Sequence, residues 1–214
     1  ENERTDVRWN ASAKPAFGGI GCFVVFRFAF AAFGVLFPKN ADPFQPELTG
    51  LLIATGLGFL MGLADDAYNT RPLLKFATQV ACGFVLFASG TAIHWFDSPM
   101  LNGMLTVLWT VGLMNAINML DNMDAITSLV SGAILASALC SLLKPGEPVD
   151  VNTVLIVATC GALGGFLFFN WHPSRMYMGD TGSQFLGVFI AYAGIRYFLN
   201  GASITGASEP WRQA

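Results

Sequence analysis

The chain has 214 residues, of which 54% are hydrophobic and only 12% charged, with a formal net charge of -3 and a mean hydropathy of +0.54. A soluble domain carries about 25% charged residues, so the composition excludes an ordinary soluble fold. The small net charge gives no footing for nucleic-acid binding either.

Taken in chain order, apolar segments fall near 17–37, 47–64, 76–93, 100–120, 125–143, 151–169 and 183–199, each close to the about 20 residues that cross a bilayer as a helix. None has the basic leader and short apolar core of a cleavable signal peptide. The pattern predicts an all-α, polytopic transmembrane helix bundle of about seven spans, in one integral-membrane domain over residues 1–214. The first span holds Arg27, in "VVFRFAF". A lipid-facing arginine there would cost about 2.5–3.5 kcal/mol on insertion scales, so its side chain is expected to face a neighbouring helix or to snorkel. Cys22, Cys82, Cys140 and Cys160 all lie in apolar segments without metal-ligand spacing and read as small buried apolar side chains.

The connections alternate in character. "PKNADPFQPE", "HWFDSPM" and "KPGEPVD" are turn-like, rich in Pro and Asp. "DDAYNTRPLLK", "NAINMLDNMDA" and "NWHPSRMYMGDTGS" are polar in a different way, and seven crossings put all three on one face together with the N-terminal "RTDVRWNASAKPAFGG". That face carries Arg4, Arg8, Lys14, Arg71, Lys75 and Arg175, against Lys39, Lys144 and Arg212 on the other. The excess predicts a cytoplasmic motif face.

In the first polar connection Asp65 and Asp66 close a span and Pro72 opens the next helix, a position where its missing N–H costs nothing. Lys75 and Gln79, at i and i+4, share one face of that helix. In the second, Asn115, Asn118 and Asn122 fall at i, i+3 and i+7 and are expected to line one stripe, with Asp121 and Asp124 beside it. Asp124 could alternatively cap the following helix, but capping needs one or two polar groups rather than five. In the third, Asp180 lies between Gly179 and Gly182 just ahead of a span, where a tight turn and the free N–H groups of a helix start suit an anion. His172, beside a proline, reads as a loop residue with a satisfied hydrogen bond rather than as a base.

Aspartates, a lysine and a glycine-flanked helix start on one face suit a divalent cation and phosphate. Magnesium takes oxygen ligands, one or two of them protein carboxylates, and phosphoryl transfer needs chiefly positioning and charge neutralisation. The scarcity of His and Cys argues against zinc. An ion or proton pathway is the rival reading, as is a membrane scaffold that binds without turnover. Transport favours acids at mid-membrane, whereas these stand at span ends.

The three polar segments, in this order, resemble the DD…P..K…Q, N..N..D(G/N).DG and N..PA..FMGD.GS motifs of the polyprenyl-phosphate N-acetylhexosamine-1-phosphate transferases (glycosyltransferase family 4), and "RWNASAKPAFGGIG" is similar to their opening P..GG loop. The resemblance covers nearly the whole chain. It implies attack of a lipid phosphate, undecaprenyl phosphate in bacteria, on the β-phosphate of a UDP-amino sugar, with Mg2+ (or Mn2+) required and UMP released. It implies catalytic roles for Asp65, Asp66 and Asp180, with Asp180 and Asp65 holding the metal. Lys75 would face phosphate; Asn115, Asn118, Asp121, Asp124 and Asn170 would line the substrate pocket, and Tyr177 would stack on uracil. The partners implied are the UDP-sugar donor, the polyprenyl phosphate acceptor, the bacterial inner membrane and a second copy in a homodimer. Direct attack and a covalent intermediate both stay open, as does the sugar: N-acetylglucosamine first, another N-acetylhexosamine next, the muramoyl pentapeptide third.

The chain departs from the motifs at Asn10, where many members have histidine, and at Ala125, Ser174 and Tyr177, which stand for Gly, Ala and Phe. The resemblance also leads one to expect a span before Glu1, and a histidine-rich loop with two spans after Ala214, so that the chain would be a fragment of the core; a divergent or inactive member is the second account.

Overall fold

The computed structural model describes residues 15–37, 45–143 and 149–200. Among the described residues seven helices follow one another: α1 (Gly18–Leu36), α2 (Pro46–Tyr68), α3 (Pro72–Ala88), α4 (Pro99–Leu120), α5 (Ile126–Leu142), α6 (Val151–Asn170) and α7 (Gly179–Ala193), the last continued by a π-type turn over Gly194–Leu199. No strand occurs among the described residues. Prolines open α2, α3 and α4 at their first position, where a fixed φ and a missing donor both suit a helix start. By length and composition α1, α2, α4 and α6 can cross a membrane, while α3 and α5 are shorter apolar helices.

The bundle is built around α7, in which every residue from Thr181 to Ala193 is buried. From Phe185 onward the helix is apolar all round, as befits the interior, and α1, α2 and α4 pack against it most closely. From α1, Phe26 meets Phe185 and Phe189 edge to face, with ring centroids 5.2 and 5.0 Å apart. Outside this core the helices present large apolar side chains, among them Phe28, Leu60, Leu73, Leu108 and Phe168. In a soluble protein such a surface would aggregate; here it is a lipid-facing belt, and the chain is an integral membrane protein.

Arg27 turns toward α2, where its guanidinium donates to the Leu52 carbonyl at 2.5 Å and lies 4.8 Å from the Phe23 ring centroid. This satisfies the expectation that it faces a neighbouring helix. All four cysteines are free; Cys22 and Cys82 are buried and Cys160 half-buried, but Cys140 is exposed, contrary to the sequence reading. It lies on the outer side of α5, where an apolar environment is supplied by lipid rather than by the core.

The loops sort as crossing parity requires. Residues 69–71, 121–125 and 171–178 come together at one end of the bundle, joined by the start of α1: Tyr177 N–H donates to Pro15 O at 3.1 Å, and Gly18 N–H to Tyr177 O at 3.2 Å. At the other end Arg196 pairs with Glu47, Tyr192 Oη donates to Asn152 Oδ1 at 2.9 Å, and Asn200 Nδ2 donates to Ala92 O at 2.7 Å. Of the charges that set the predicted orientation, Arg4, Arg8, Lys14, Lys39, Lys144 and Arg212 lie outside the described residues, as does Asn10.

Candidate active site

Three helix ends place the site. α2 runs to Tyr68 and so carries Asp65 and Asp66 in its last turn; Lys75 sits at the end of α3's first turn; Asp180 is the second residue of α7. Lys75 Nζ lies 3.1 Å from Asp65 Oδ2 and 2.5 Å from Asp180 Oδ2, with the three side chains partly exposed. Asn118, from the last turn of α4, donates to Asp180 Oδ1 and, at 2.9 Å, to Ser183 Oγ, while its Oδ1 lies 3.4 Å from Lys75 Nζ. Asp65 Oδ1 accepts from Thr70 N–H at 2.9 Å and from Thr70 Oγ1 at 2.5 Å. Four helices therefore contribute to one cluster.

Close approach of α2 and α7 makes this possible. A Cβ at Gly62 would collide with the Asp180 carbonyl and the Thr181 backbone, so only glycine lets the two backbones touch there. Gly179 has φ +76, a conformation that turns the chain sharply into α7. Gly182 serves a different purpose from the turn expected of it, since it lies inside α7.

The five aspartates do not act together. Asp66 accepts from Asp180 N–H and Thr181 N–H, each at 2.9 Å, and from Thr181 Oγ1 at 2.5 Å. It caps α7 from another helix, and an acid at a helix N-terminus is favoured by the peptide dipoles. Asp121 Oδ2 accepts from Gly179 N–H at 3.0 Å. The helix start expected to offer free N–H groups to an anion is thus already filled by two carboxylates of the chain. Asp121 is pushed up to about 7, first by burial and then by the charges of Asp180 and Asp66, against the pull of the Gly179 N–H.

Asp124 Oδ2 accepts from Ser174 N–H at 3.2 Å and lies 3.0 Å from His172 Nδ1. It ties two loops together and does not cap α5, whose N-cap is Ala125 without a side-chain bond. His172 is held by Asp124, as a loop histidine was expected to be. Asn170 is buried and also ties loops: its Oδ1 accepts from Ala125 N–H and its Nδ2 donates to Met176 O, both at 2.9 Å. Tyr177 is half-buried on the same face.

The predicted asparagine stripe loses Asn122 because α4 ends at Leu120, while Asn115 and Asn118 stay inside the helix one turn apart. Asn118 reaches the cluster. Asn115 instead exchanges bonds with Gln79, and Asn122, beyond the helix, donates to Met119 O at 3.1 Å. Thr70, Thr181, Ser183 and Gln184 were not singled out from sequence. Thr181 lies between Gly179 and Gly182 beside Asp180 and Ser183 directly follows Gly182, and these hydroxyls next to the glycines were the available signal.

No group of three or more His, Cys, Asp or Glu among the described residues is arranged around one point. A magnesium ion needs fewer, since substrate and water complete its shell. Asp65 and Asp180 already converge on a single positive charge, the Lys75 ammonium. Two carboxylates against one ammonium leave excess negative charge, so an incoming phosphate is repelled until a further cation joins. The hard-oxygen donor set and this charge deficit both fit a divalent metal.

Residues 48–198 match the family model described as Glycosyl transferase family 4. Over 186 residues the chain is 29% identical to a protein of Bacillus subtilis (strain 168) named probable undecaprenyl-phosphate N-acetylglucosaminyl 1-phosphate transferase, covering 83% of this chain and 49% of that one. It is 30% identical to the decaprenyl-phosphate N-acetylglucosaminephosphotransferase of Mycobacterium leprae, over 84% of this chain and 50% of the relative. It is 33% identical to the phospho-N-acetylmuramoyl-pentapeptide-transferase of Heliobacterium modesticaldum, over 69% of this chain and 52% of the relative. The chain spans about half the length of these curated relatives.

Proposed function

This chain belongs to glycosyl transferase family 4, and we propose that it forms the transfer centre of a bacterial inner-membrane enzyme, its motif face cytoplasmic, that moves N-acetylglucosamine-1-phosphate from a UDP-sugar to a polyprenyl phosphate. The observation that carries this reading is the meeting of Asp65, Lys75, Asn118 and Asp180, from four helices, at the end of an apolar bundle. A lipid-anchored acceptor and a water-soluble, charged donor can meet only at such an interface.

In the reaction proposed, an oxygen of the lipid phosphate forms a bond to the β-phosphorus of the donor, and the bond from that phosphorus to the UMP oxygen breaks. The products are a polyprenyl diphosphate sugar and UMP. A magnesium ion held by Asp65 and Asp180 would neutralise the donor's diphosphate. Lys75 binds phosphate once that charge is met, because its ammonium is then released from carrying both carboxylates alone. A phosphate monoester has its second pKa at about 6, so the acceptor arrives largely ionised near pH 7 and asks little proton transfer of Asp65. Thr70 holds one oxygen of Asp65 and Lys75 the other, an arrangement for orienting the acceptor rather than for attacking phosphorus. Asn118 fixes the Asp180 carboxylate, and Asp66 fixes the backbone that bears it. Asp124 and Tyr177, on the same face, would border the donor's nucleoside end.

The likeness to a phospho-N-acetylmuramoyl-pentapeptide-transferase keeps that donor as the second reading. UMP release in detergent with undecaprenyl phosphate and Mg2+, compared between UDP-N-acetylglucosamine and UDP-N-acetylmuramoyl-pentapeptide, separates the two. The first donor alone should be consumed. Release from the pentapeptide donor alone would move the assignment to the second reading, and silence with both would overturn the transferase.

A further inference from the structure

One helical turn further from the interface lies a second polar layer. Lys75, Asn118 and Asp180 each have an amide side chain on the same helix, deeper in the bundle: Gln79 on α3, Asn115 on α4 and Gln184 on α7. These amides bond to one another. Gln79 Nε2 lies 3.2 Å from Asn115 Oδ1 and 3.1 Å from Gln184 Oε1, and Asn115 Nδ2 donates back to Gln79 Oε1 at 2.9 Å. Gln79 and Gln184 are 1% and 0% exposed, so no solvent reaches them, while Asn115 stands at the exposed rim.

A buried amide is costly unless it is bonded, and an apolar bundle offers few partners besides its own backbone. The three bonds of the layer form only if α3, α4 and α7 share one axial register. A slip of α7 by one residue moves it by about 1.5 Å, enough to break the bond between Gln79 and Gln184 and to carry Asp180 off Lys75 by the same amount. Gln184 Nε2 has no hydrogen-bond partner among the described residues, so the link from α7 runs through its Oε1 alone to Gln79, which is the hub. The layer also does what the charged cluster cannot. Lys75 must leave its carboxylates to meet phosphate, and the ion pairs that join the helices then loosen. Neutral amides keep their bonds whatever the charge state above them.

We propose that Gln79, with Asn115 and Gln184, is a positioning residue that holds Lys75, Asn118 and Asp180 in register across three helices. What the cluster acts on is taken from the transferase reading; the register itself is not, and it can be measured without turnover. The probe is acetic anhydride acting on the detergent-solubilised protein, with acetylation of Lys75 followed by mass spectrometry. Gln79→Leu should acetylate Lys75 about five-fold faster than the wild type, the scale of one lost hydrogen bond, and Asn115→Leu should do the same without disturbing a buried volume. Gln79→Glu, which can still accept from Asn115, should recover part of the protection. Asn152→Leu, which removes the Tyr192 partner at the opposite end of the bundle, should lower the melting temperature and leave Lys75 as protected as before. Wild-type acetylation in both Gln79→Leu and Asn115→Leu overturns the proposal, as does equal acceleration by Asn152→Leu. UMP release is scored separately: silence in every variant with the labelling contrast intact removes the transferase reading and leaves the register standing.

Discussion

Ala125 holds a left-handed backbone, with φ 65, at the position where the resembling motif has glycine. An L-residue with a Cβ pays about 1–2 kcal/mol there, so Ala125→Gly is expected to stabilise the protein by about 1 kcal/mol, read as a higher melting temperature in detergent. Asp66 and Asp65, adjacent in sequence, make the opposite point about roles. Asp66→Ala removes the cap of α7 and should cost about 1 kcal/mol of stability, whereas an effect of Asp65 on activity would be direct. Nothing in "DD" separates them; the difference arises because successive residues on a helix face directions about 100° apart, and only the structure shows what stands on each side. Asp121 gives a dependence on pH. Its folded value of about 7 exceeds the ordinary aspartate value of about 3.9, so between those limits the folded state binds the proton that the unfolded state has lost, and stability falls as pH rises through the window. Melting curves at pH 5 and pH 8 should show the wild type losing ground to Asp121→Asn at the higher pH; parallel curves would refute the assignment.

At the scale of elements, the apolar runs gave the helices within a few residues, because lipid imposes a length as well as a composition. The boundary moved where polar residues continue a helix: α2, expected to end near residue 64, runs on through Asp65 and Asp66 to Tyr68. Hydrophobicity cannot see that extension, since backbone hydrogen bonding carries it. The central place of α7 was not legible either. Its glycine-bordered start reads as a phosphate loop, yet its N–H groups are taken by Asp66 and Asp121. The seam between α2 and α7 supplies the test at this scale. Gly62→Ala puts a Cβ into the Asp180 backbone, and overpacking of this kind costs about 1–3 kcal/mol. The variant should melt lower and lose activity together, while Gly132→Ala, on α5 with open space around it, should change neither.

For the molecule as a whole, crossing parity alone gathered the three polar connections on one face, and the structure brings them there with the start of α1. What parity leaves unresolved is which of the many polar side chains on that face form the working cluster. Of the ten residues expected to bind or act, Lys75 meets Asp65, Asn118 and Asp180, while Asp66, Asp121, Asp124 and Asn170 brace the loops and the start of α7, Asn115 joins the deeper amide layer, and Tyr177 stands half-buried on the same face. The account therefore rests on Asp65, Lys75, Asn118 and Asp180 being a centre of sugar-phosphate transfer. The most direct measurement uses UDP-N-acetylglucosamine radiolabelled in its β-phosphate, with undecaprenyl phosphate and Mg2+, and follows the label in wild type and in Asp180→Asn. The account predicts label in the lipid fraction, equimolar UMP, and a loss of at least about a hundred-fold in the variant, the scale seen when a preorganised charge-stabilising group is removed. Label left in UDP beside a glycosylated lipid, or undiminished transfer in Asp180→Asn, would contradict it.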